Sequence, residues 1–287
     1  MISTQFDYVR AQTLDEALTL LAQNEDAKIL AGGHSLIPAM KLRLAMPPLL
    51  IDIGRIAELS YIRKEGSQIR LGAMTSHYQI ESSELLKKIC PLLPECAGQI
   101  GDVQVRNKGT IGGSVAHSDP AGDWPAAVIA LNAELVVAGK NGERSINADE
   151  FFVDLMTTAL QPGEILREIR VNQTTGRTGQ AYVKMHHPAS GFAVVGVAAN
   201  LALDDNGTCR KASIGITGVS SKAYRAQAVE AALNGNSLDD QGTAKAATRA
   251  TDGVDISGDL FASESYRRHL AAVYTRRAVA IAVERAG

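Results

Sequence analysis

The chain has little of several things that would otherwise narrow its function at once. Among 287 residues there are one tryptophan and three cysteines, and aromatic side chains make up 5% of the total. Cys90, Cys96 and Cys209 are too few and too scattered for an iron–sulfur or zinc site, and an odd number does not suit a disulfide framework. We expect them to be buried, reduced thiols of a cytoplasmic protein.

The chain also lacks a charge imbalance and a long hydrophobic run. Lys and Arg number 29 against 31 Asp and Glu, a net charge of −2, which does not favour nucleic acid or a membrane surface as partner. No apolar run approaches the ~18–20 residues of a membrane span, and the amino-terminal MISTQFDYVR has no apolar core of signal-peptide type. The length suits one large domain or two to three small ones, and we predict a cytoplasmic location.

Common catalytic and nucleotide-binding motifs are missing as well. No glycine cluster is followed by the Lys-Ser/Thr of a P-loop, and no G-x-G-x-x-G marks a Rossmann site. No serine lies in a G-x-S-x-G elbow, and no histidine pair has the spacing of a helical metal site. We therefore predict no catalytic residue and no metal ligand on this chain.

What the sequence does contain is an alternation of strands and helices. Thr13 and Glu16 form a capping box that predicts a helix, and Asn141-Gly142 predicts a hairpin with a type I′ turn. Polar, glycine-rich Asn172–Gly179 resembles a linker. Apolar runs predict strands at 28–31, 49–53, 68–74, 164–171, 180–185, 192–203 and 209–217, and helices at 77–89, 124–133 and 263–286.

Two paired glycines, each followed closely by a serine, are the most informative local feature. They lie in Ala31-Gly-Gly-His-Ser35 and in Lys108-Gly-Thr-Ile-Gly-Gly-Ser114, each next to an apolar segment. Successive backbone N–H groups in such turns converge on anions, and a following helix amino terminus adds positive charge. Two facing turns would suit a diphosphate. A purely structural role, in which glycine only permits unusual backbone angles, is about equally consistent with the spacing.

Charged residues beside the second glycine turn are consistent with a diphosphate site but do not establish one. Asp119 and Asp123 could accept from sugar hydroxyls, as acidic residues do in dinucleotide sites, or could cap the helix expected near Trp124. Arg106 and Lys108 could neutralise a phosphate or form an exposed positive face. The residues alone leave both alternatives open.

These motifs resemble one known family. Ala31–Ser35, then Gln104–Gly113 and Ala116–Pro120, are similar to the FAD-binding medium subunit of molybdenum hydroxylases, most of all carbon monoxide dehydrogenase; the FAD domain of xanthine dehydrogenase is more distant. The resemblance implies an α+β fold. It has a two-part FAD-binding domain of the p-cresol methylhydroxylase (PCMH, vanillyl-alcohol oxidase-like) type at 1–176, with subdomains of about 1–55 and 56–176. A CO dehydrogenase flavoprotein-like domain at 177–287 follows, with a three-stranded antiparallel sheet and helices.

The resemblance also implies a set of FAD-binding positions. The two glycine turns would wrap the pyrophosphate, Asp123 would lie on the ribityl side, and Lys184 near the flavin ring. Phe192 stands where a tyrosine can pack on the flavin, so the hydroxyl is lost and the stacking face kept. The full set is Leu30, Ala31, Gly32, Gly33, His34, Ser35, Leu36, Ala73, Ile100, Gly101, Gly109, Thr110, Ile111, Gly112, Gly113, Ser114, Asp119, Asp123, Leu166, Lys184 and Phe192.

The function implied is that of an electron-transfer subunit. A large subunit with the molybdenum cofactor and a small subunit with two [2Fe–2S] clusters would be its partners, in a dimer of heterotrimers. FAD on this chain would collect electrons and pass them to an external acceptor. An independent FAD-dependent oxidoreductase of the same fold, or a binding module that has lost FAD, are the alternatives. The chain specifies neither the substrate nor the acceptor.

Overall fold

The computed structural model describes residues 2–287 and opens with a small parallel sheet. The helix after Thr13 is confirmed: Thr13 Oγ1 accepts from the Glu16 amide at 3.2 Å, although the Glu16 carboxylate accepts from Gln12 rather than from the cap. The strands expected at 28–31 and 49–53 are confirmed, and one further strand had no sequence signal that we recognised. In the order β1-β3-β2 this sheet comprises β1 (Asp7–Arg10), β2 (Lys28–Leu30) and β3 (Leu49–Asp52), with α1 (Leu14–Gln23) and α2 (Leu36–Lys41) alongside.

A five-stranded antiparallel sheet follows, in the order β4-β5-β10-β6-β7. Its hairpin is confirmed, but the turn falls one residue earlier than predicted. Gly139 pairs with Gly142, and only Gly142 has a positive φ, so the turn is not type I′. The strands are β4 (Ile62–Glu65), β5 (Gln68–Gly72), β6 (Glu134–Gly139), β7 (Gly142–Asn147) and β10 (Ile165–Asn172); β8 (Phe152–Asp154) and β9 (Thr157–Thr158) form a separate pair.

Short helices fill the space beside this sheet. The single helix expected at 77–89 is two helices: the first ends at its C-cap Ser82, and Ser83 caps the second by accepting from the Leu86 amide. The predicted helix near Trp124 is confirmed. The helices are α3 (His77–Glu81), α4 (Glu84–Ile89), α5 (Leu92–Gly98), α6 (Val103–Lys108), α7 (Ile111–His117), α8 (Asp123–Ala130) and α9 (Ala148–Phe151).

The carboxyl-terminal part is an antiparallel sheet backed by helices. The resemblance implied three strands; the structure adds a short fourth at Tyr224–Arg225, which pairs with the third. Its elements are β11 (Thr178–His186), β12 (Ala193–Leu203), β13 (Cys209–Thr217), β14 (Tyr224–Arg225), α10 (Gln227–Leu233), α11 (Asp240–Ala247) and α12 (Glu264–Ala286).

Helix α8 joins the two larger sheets. A Cβ on Gly215 of β13 would overlap the carbonyl of Ala126, so helix and strand touch backbone to backbone. Every residue of α8 is buried, including Asp123 at its start and Trp124 next to it. The helix therefore places Asp123 at the boundary between the amino-terminal part and the last sheet.

The three cysteines lie in the core as expected. All are free and buried, and burial raises the pKa of Cys90 to about 12 and that of Cys209 to about 11. Such thiols stay protonated and unreactive. Within residues 2–287, no helix combines the length and apolar character needed to cross a membrane.

Candidate functional site

The first glycine turn leaves a run of backbone donors unused. It connects β2 to α2, and Gly33 reverses the chain at φ +77°. Over residues 2–287, no acceptor is found for the N–H groups from Gly32 to Leu36. Five consecutive free donors in a partly exposed turn are what an anion-binding backbone nest supplies, and we call this run of N–H groups the donor nest. The hydroxyl of Ser35 likewise makes no bond to the described part of the chain.

The second glycine segment lies directly against the first. A Cβ on Gly32 would overlap the carbonyl of Lys108 and come within 2.8 Å of Gly109 Cα, so the two backbones are in van der Waals contact. A Cβ on Gly113 would lie 3.3 Å from Ala31 Cβ. The segments that the sequence separates by more than 70 residues are therefore one site. That juxtaposition is what a two-sided diphosphate cradle requires.

The second segment is a helix rather than the glycine turn we expected. Thr110 caps α7, its Oγ1 accepting from the Gly113 amide at 3.1 Å, while the amides of Ile111 and Gly112 donate to Thr75 and Ala73. These three N–H groups are thus already bonded within the protein. In this segment the hydroxyl of Ser114 makes no hydrogen bond to the described part of the chain.

Gly112 lacks a side chain for a reason different from the one predicted. It is buried, and a Cβ there would overlap Ala73 and approach its carbonyl oxygen at 2.7 Å. The bare backbone lets α7 pack on Ala73, and no space is kept for a ligand at that atom. Ala73 in turn donates to Arg167, next to Leu166 at the bulge of β10. Leu166 and Ala73 therefore lie in the core behind α7 and support the second glycine segment.

Two residues missed by the sequence analysis stabilise the junction of the segments. Trp124 Nε1 donates to His77 Nδ1 at 3.0 Å, so the proton of His77 is on Nε2. A Cβ on Gly109 would lie 2.6 Å from that Nε2, so the ring packs against the glycine backbone. Burial, helped by the neighbouring His34 and Arg106, lowers the pKa of His77 to about 4 and keeps it neutral.

Arg106 does not serve as a phosphate counter-ion. Its guanidinium binds Glu81 at 2.7 Å and donates to the carbonyls of Ile100 and Gly101. It therefore holds the Ile100–Gly101 corner, in which Gly101 has φ +49°. Gly191 approaches the same corner, since a Cβ on it would be 3.8 Å from Gly101 Cα. The loop that carries Phe192 is thus brought next to the predicted positions 100 and 101, which form a second part of the site.

The two aspartates have different environments. Asp119 is partly exposed, and one oxygen accepts from the Ala121 amide at 2.8 Å. Asp123 is 5% exposed and is bonded to the Tyr182 hydroxyl and the Lys184 ammonium. Burial raises the pKa of the Asp123 carboxyl even with Lys184 beside it. Direct contact of Asp123 with a sugar hydroxyl stays a prediction; the structure turns its carboxylate toward Lys184.

Phe192 presents its ring at the surface of this second part. The side chain is 44% exposed in the loop between β11 and β12, so its ring is available for packing against a ligand. A cleft of about 220 Å³ runs beside the ring and reaches Asp119. The exposed ring and the donor nest have the complementary characters, apolar and anion-binding, of an aromatic cofactor that carries phosphates.

The chain is similar to known proteins of one family. Residues 4–173 match the family described as the FAD binding domain in molybdopterin dehydrogenase, and residues 180–282 match the CO dehydrogenase flavoprotein C-terminal domain. The carbon monoxide dehydrogenase medium chain of Hydrogenophaga pseudoflava is 40% identical over 97% of each chain. The 6-hydroxypseudooxynicotine dehydrogenase complex subunit alpha of Paenarthrobacter nicotinovorans is 37% identical over 98% of this chain and 95% of that one.

Solved structures of proteins from the same family are similar to this chain along almost its whole length. A chain of carbon monoxide dehydrogenase from Hydrogenophaga pseudoflava superimposes with a TM-score of 0.96 at 42% identity, covering 99% of both chains. A chain of quinoline 2-oxidoreductase from Pseudomonas putida 86 gives 0.93 at 30% identity, covering 100% of this chain and 99% of that one. The resemblance drawn from the two glycine motifs is confirmed. The chain belongs to the family of FAD-binding medium subunits of molybdenum-dependent dehydrogenases.

Proposed function

We propose that this chain is the FAD-binding electron-transfer subunit of a molybdenum-containing hydroxylase. It accepts electrons from [2Fe–2S] clusters of a small subunit and passes them to an external acceptor, while a large subunit oxidises the substrate at its molybdenum cofactor. The observation that carries the proposal is the nest of five unbonded N–H groups at Gly32–Leu36, inside a family match that spans the chain.

The chain's own residues bind and orient the cofactor. The N–H nest holds the negative charge of the FAD diphosphate, and the hydroxyls of Ser35 and Ser114 donate from the two sides. Phe192 provides an apolar face for the ring system and Asp119 an acceptor for hydroxyl groups. Bound FAD supplies the redox chemistry, which no side chain here can perform.

The organisation implied by the family belongs to the same proposal. Residues 1–176 form a PCMH-type FAD-binding domain with subdomains of about 1–55 and 56–176, and residues 177–287 form the flavoprotein C-terminal domain. The assembly is a cytoplasmic dimer of heterotrimers. Analytical ultracentrifugation of the purified assembly tests the last point.

Purification from the native host tests the function. We expect yellow protein that carries a large and a small partner subunit, and a flavin that substrate bleaches only while the partners are present. An independent FAD oxidoreductase would instead purify alone, and its flavin would be bleached by substrate without partners. Colourless protein would indicate a module that has lost FAD.

A further inference from the structure

A buried ion pair lies beneath the second part of the site. Lys184 Nζ is 2.9 Å from Asp123 Oδ1 and 3.0 Å from Oδ2, and the two side chains are 0% and 5% exposed. Charged groups are rarely placed so deep, because desolvation opposes burial unless each charge is fully bonded. The pair joins β11 to the start of α8, two elements that are 61 residues apart in the chain.

Lys184 has one further acceptor, and it lies in the loop that carries Phe192. Its Nζ donates to the Gly191 carbonyl at 2.8 Å. Gly191 has φ +72° and faces Gly101, and the loop is closed by the His187 amide donating to the Phe192 carbonyl at 2.8 Å. The ammonium thus fixes Gly191 at the point where the loop meets the Ile100–Gly101 corner.

A glycine on the neighbouring strand leaves room for this cluster of side chains. Gly196 pairs with Lys184 across β11 and β12, and a Cβ on it would come within 2.5 Å of the Tyr182 hydroxyl. That hydroxyl donates to Asp123, so each partner of the carboxylate is accounted for. Without the space at Gly196, Tyr182 could not reach the ion pair.

We propose that Lys184 and Asp123 are positioning residues: their buried ion pair holds Gly191 against Gly101, fixes the loop that carries Phe192, and so sets the face on which the FAD ring system packs. The inference rests on the proposed function and deepens it. Lys184 acts on the cofactor through the loop, and the direct contact with the flavin that the resemblance implied is not needed.

A double-mutant cycle tests the proposal on the assembly purified with its accompanying subunits. The Asp123→Asn/Lys184→Met variant removes both charges and leaves no unpaired one, and Phe192→Ala removes the ring. We measure the dissociation constant of FAD for the flavin-free protein by quenching of flavin fluorescence, and its thermal midpoint. Tyr224→Phe is the matched control, since it removes a tyrosine hydroxyl that donates to the Ala250 carbonyl at 3.0 Å and leaves Asp123, Lys184 and Gly191 untouched.

The charge-free variant is expected to bind FAD at least tenfold more weakly, whereas in the Phe192→Ala background the same two changes shift the constant less than twofold. Tyr224→Phe keeps the parental affinity. An unchanged affinity in the charge-free variant, or the same tenfold loss without Phe192, would overturn the proposal. Lys184→Arg carries the test if the double variant does not fold: it keeps the charge and displaces the donor to Gly191, so its loss of affinity must also vanish without Phe192. Wild-type protein that binds no FAD would refute the proposed function itself.

Discussion

Gly32, Gly33 and Gly112 each lack a side chain for a different physical reason. Gly32 touches the backbone of Lys108, Gly33 adopts a positive φ, and Gly112 packs on Ala73 in the core. The sequence shows that glycines are dense here, but the backbones that Gly32 and Gly112 touch belong to segments more than 30 residues away. For this reason the glycine spacing indicated that another group comes close to the backbone, but it could not identify that group.

Gly33→Ala is expected to weaken FAD binding more than tenfold. The left-handed backbone costs an alanine about 1 kcal/mol, and the new Cβ would lie 3.2 Å from Ile37 Cγ1, so relaxation turns the donor nest. Gly66→Ala is the matched control, because Gly66 has φ +60° with open space around it. Isothermal titration should show an affinity loss for Gly33→Ala alone, and equal affinities would contradict the role assigned to the turn.

His77 predicts a pH dependence of stability. Its pKa falls from 6.5 to about 4 on folding, so between these values the unfolded chain binds the extra proton and the free energy of unfolding decreases as the pH is lowered. From pH 7 to 4.5 this group contributes a loss of about 2 kcal/mol.

His77→Asn isolates that contribution, since its Oδ1 can still accept from Trp124. Urea unfolding followed by the fluorescence of Trp124, the single tryptophan, is compared for both proteins at the two pH values. The acid-induced loss should be smaller in the variant by about 2 kcal/mol. Identical losses would mean that folding leaves the pKa of His77 unchanged.

Among the elements, those with a local signal were predictable. The Thr13 cap and the apolar runs of β2, β3 and β13 specify their own structure. Helix α7 was not predictable, because Gly112 and Gly113 disfavour a helix by about 1 kcal/mol each and it forms through Thr110 and contacts with Ala73. The Asp123–Lys184 pair joins two distant elements, and no local pattern could indicate it.

The backbone contact between α8 and β13 predicts that a side chain at position 215 destabilises the protein. Gly215→Ala is expected to destabilise the protein by about 3 kcal/mol, because its Cβ would overlap the Ala126 carbonyl, a backbone atom that cannot rotate away. Gly98→Ala, whose Cβ would make ordinary contacts with Glu81 at 3.5 Å or more, should be neutral or slightly stabilising. Thermal unfolding distinguishes them, and equal midpoints would show that α8 can shift.

At the scale of the whole molecule, the proposed cofactor site is divided between two parts of the chain. The amino-terminal part supplies the donor nest and the capped helix α7, while the Phe192 loop leaves the last sheet and meets the Ile100–Gly101 corner. Helix α8 and the ion pair at its start connect the two. The ring face of the site therefore depends on how these parts pack against each other.

The central claim is that this chain holds one FAD, with its diphosphate on the nest at Gly32–Leu36. The most direct measurement is the flavin released by denaturing the purified assembly, identified by chromatography and counted per chain, for wild type and for Gly32→Ala. We predict one FAD per chain in the wild type and almost none in the variant, whose Cβ would force the two glycine segments apart. A wild type without FAD, or a variant with a full complement, would contradict the account.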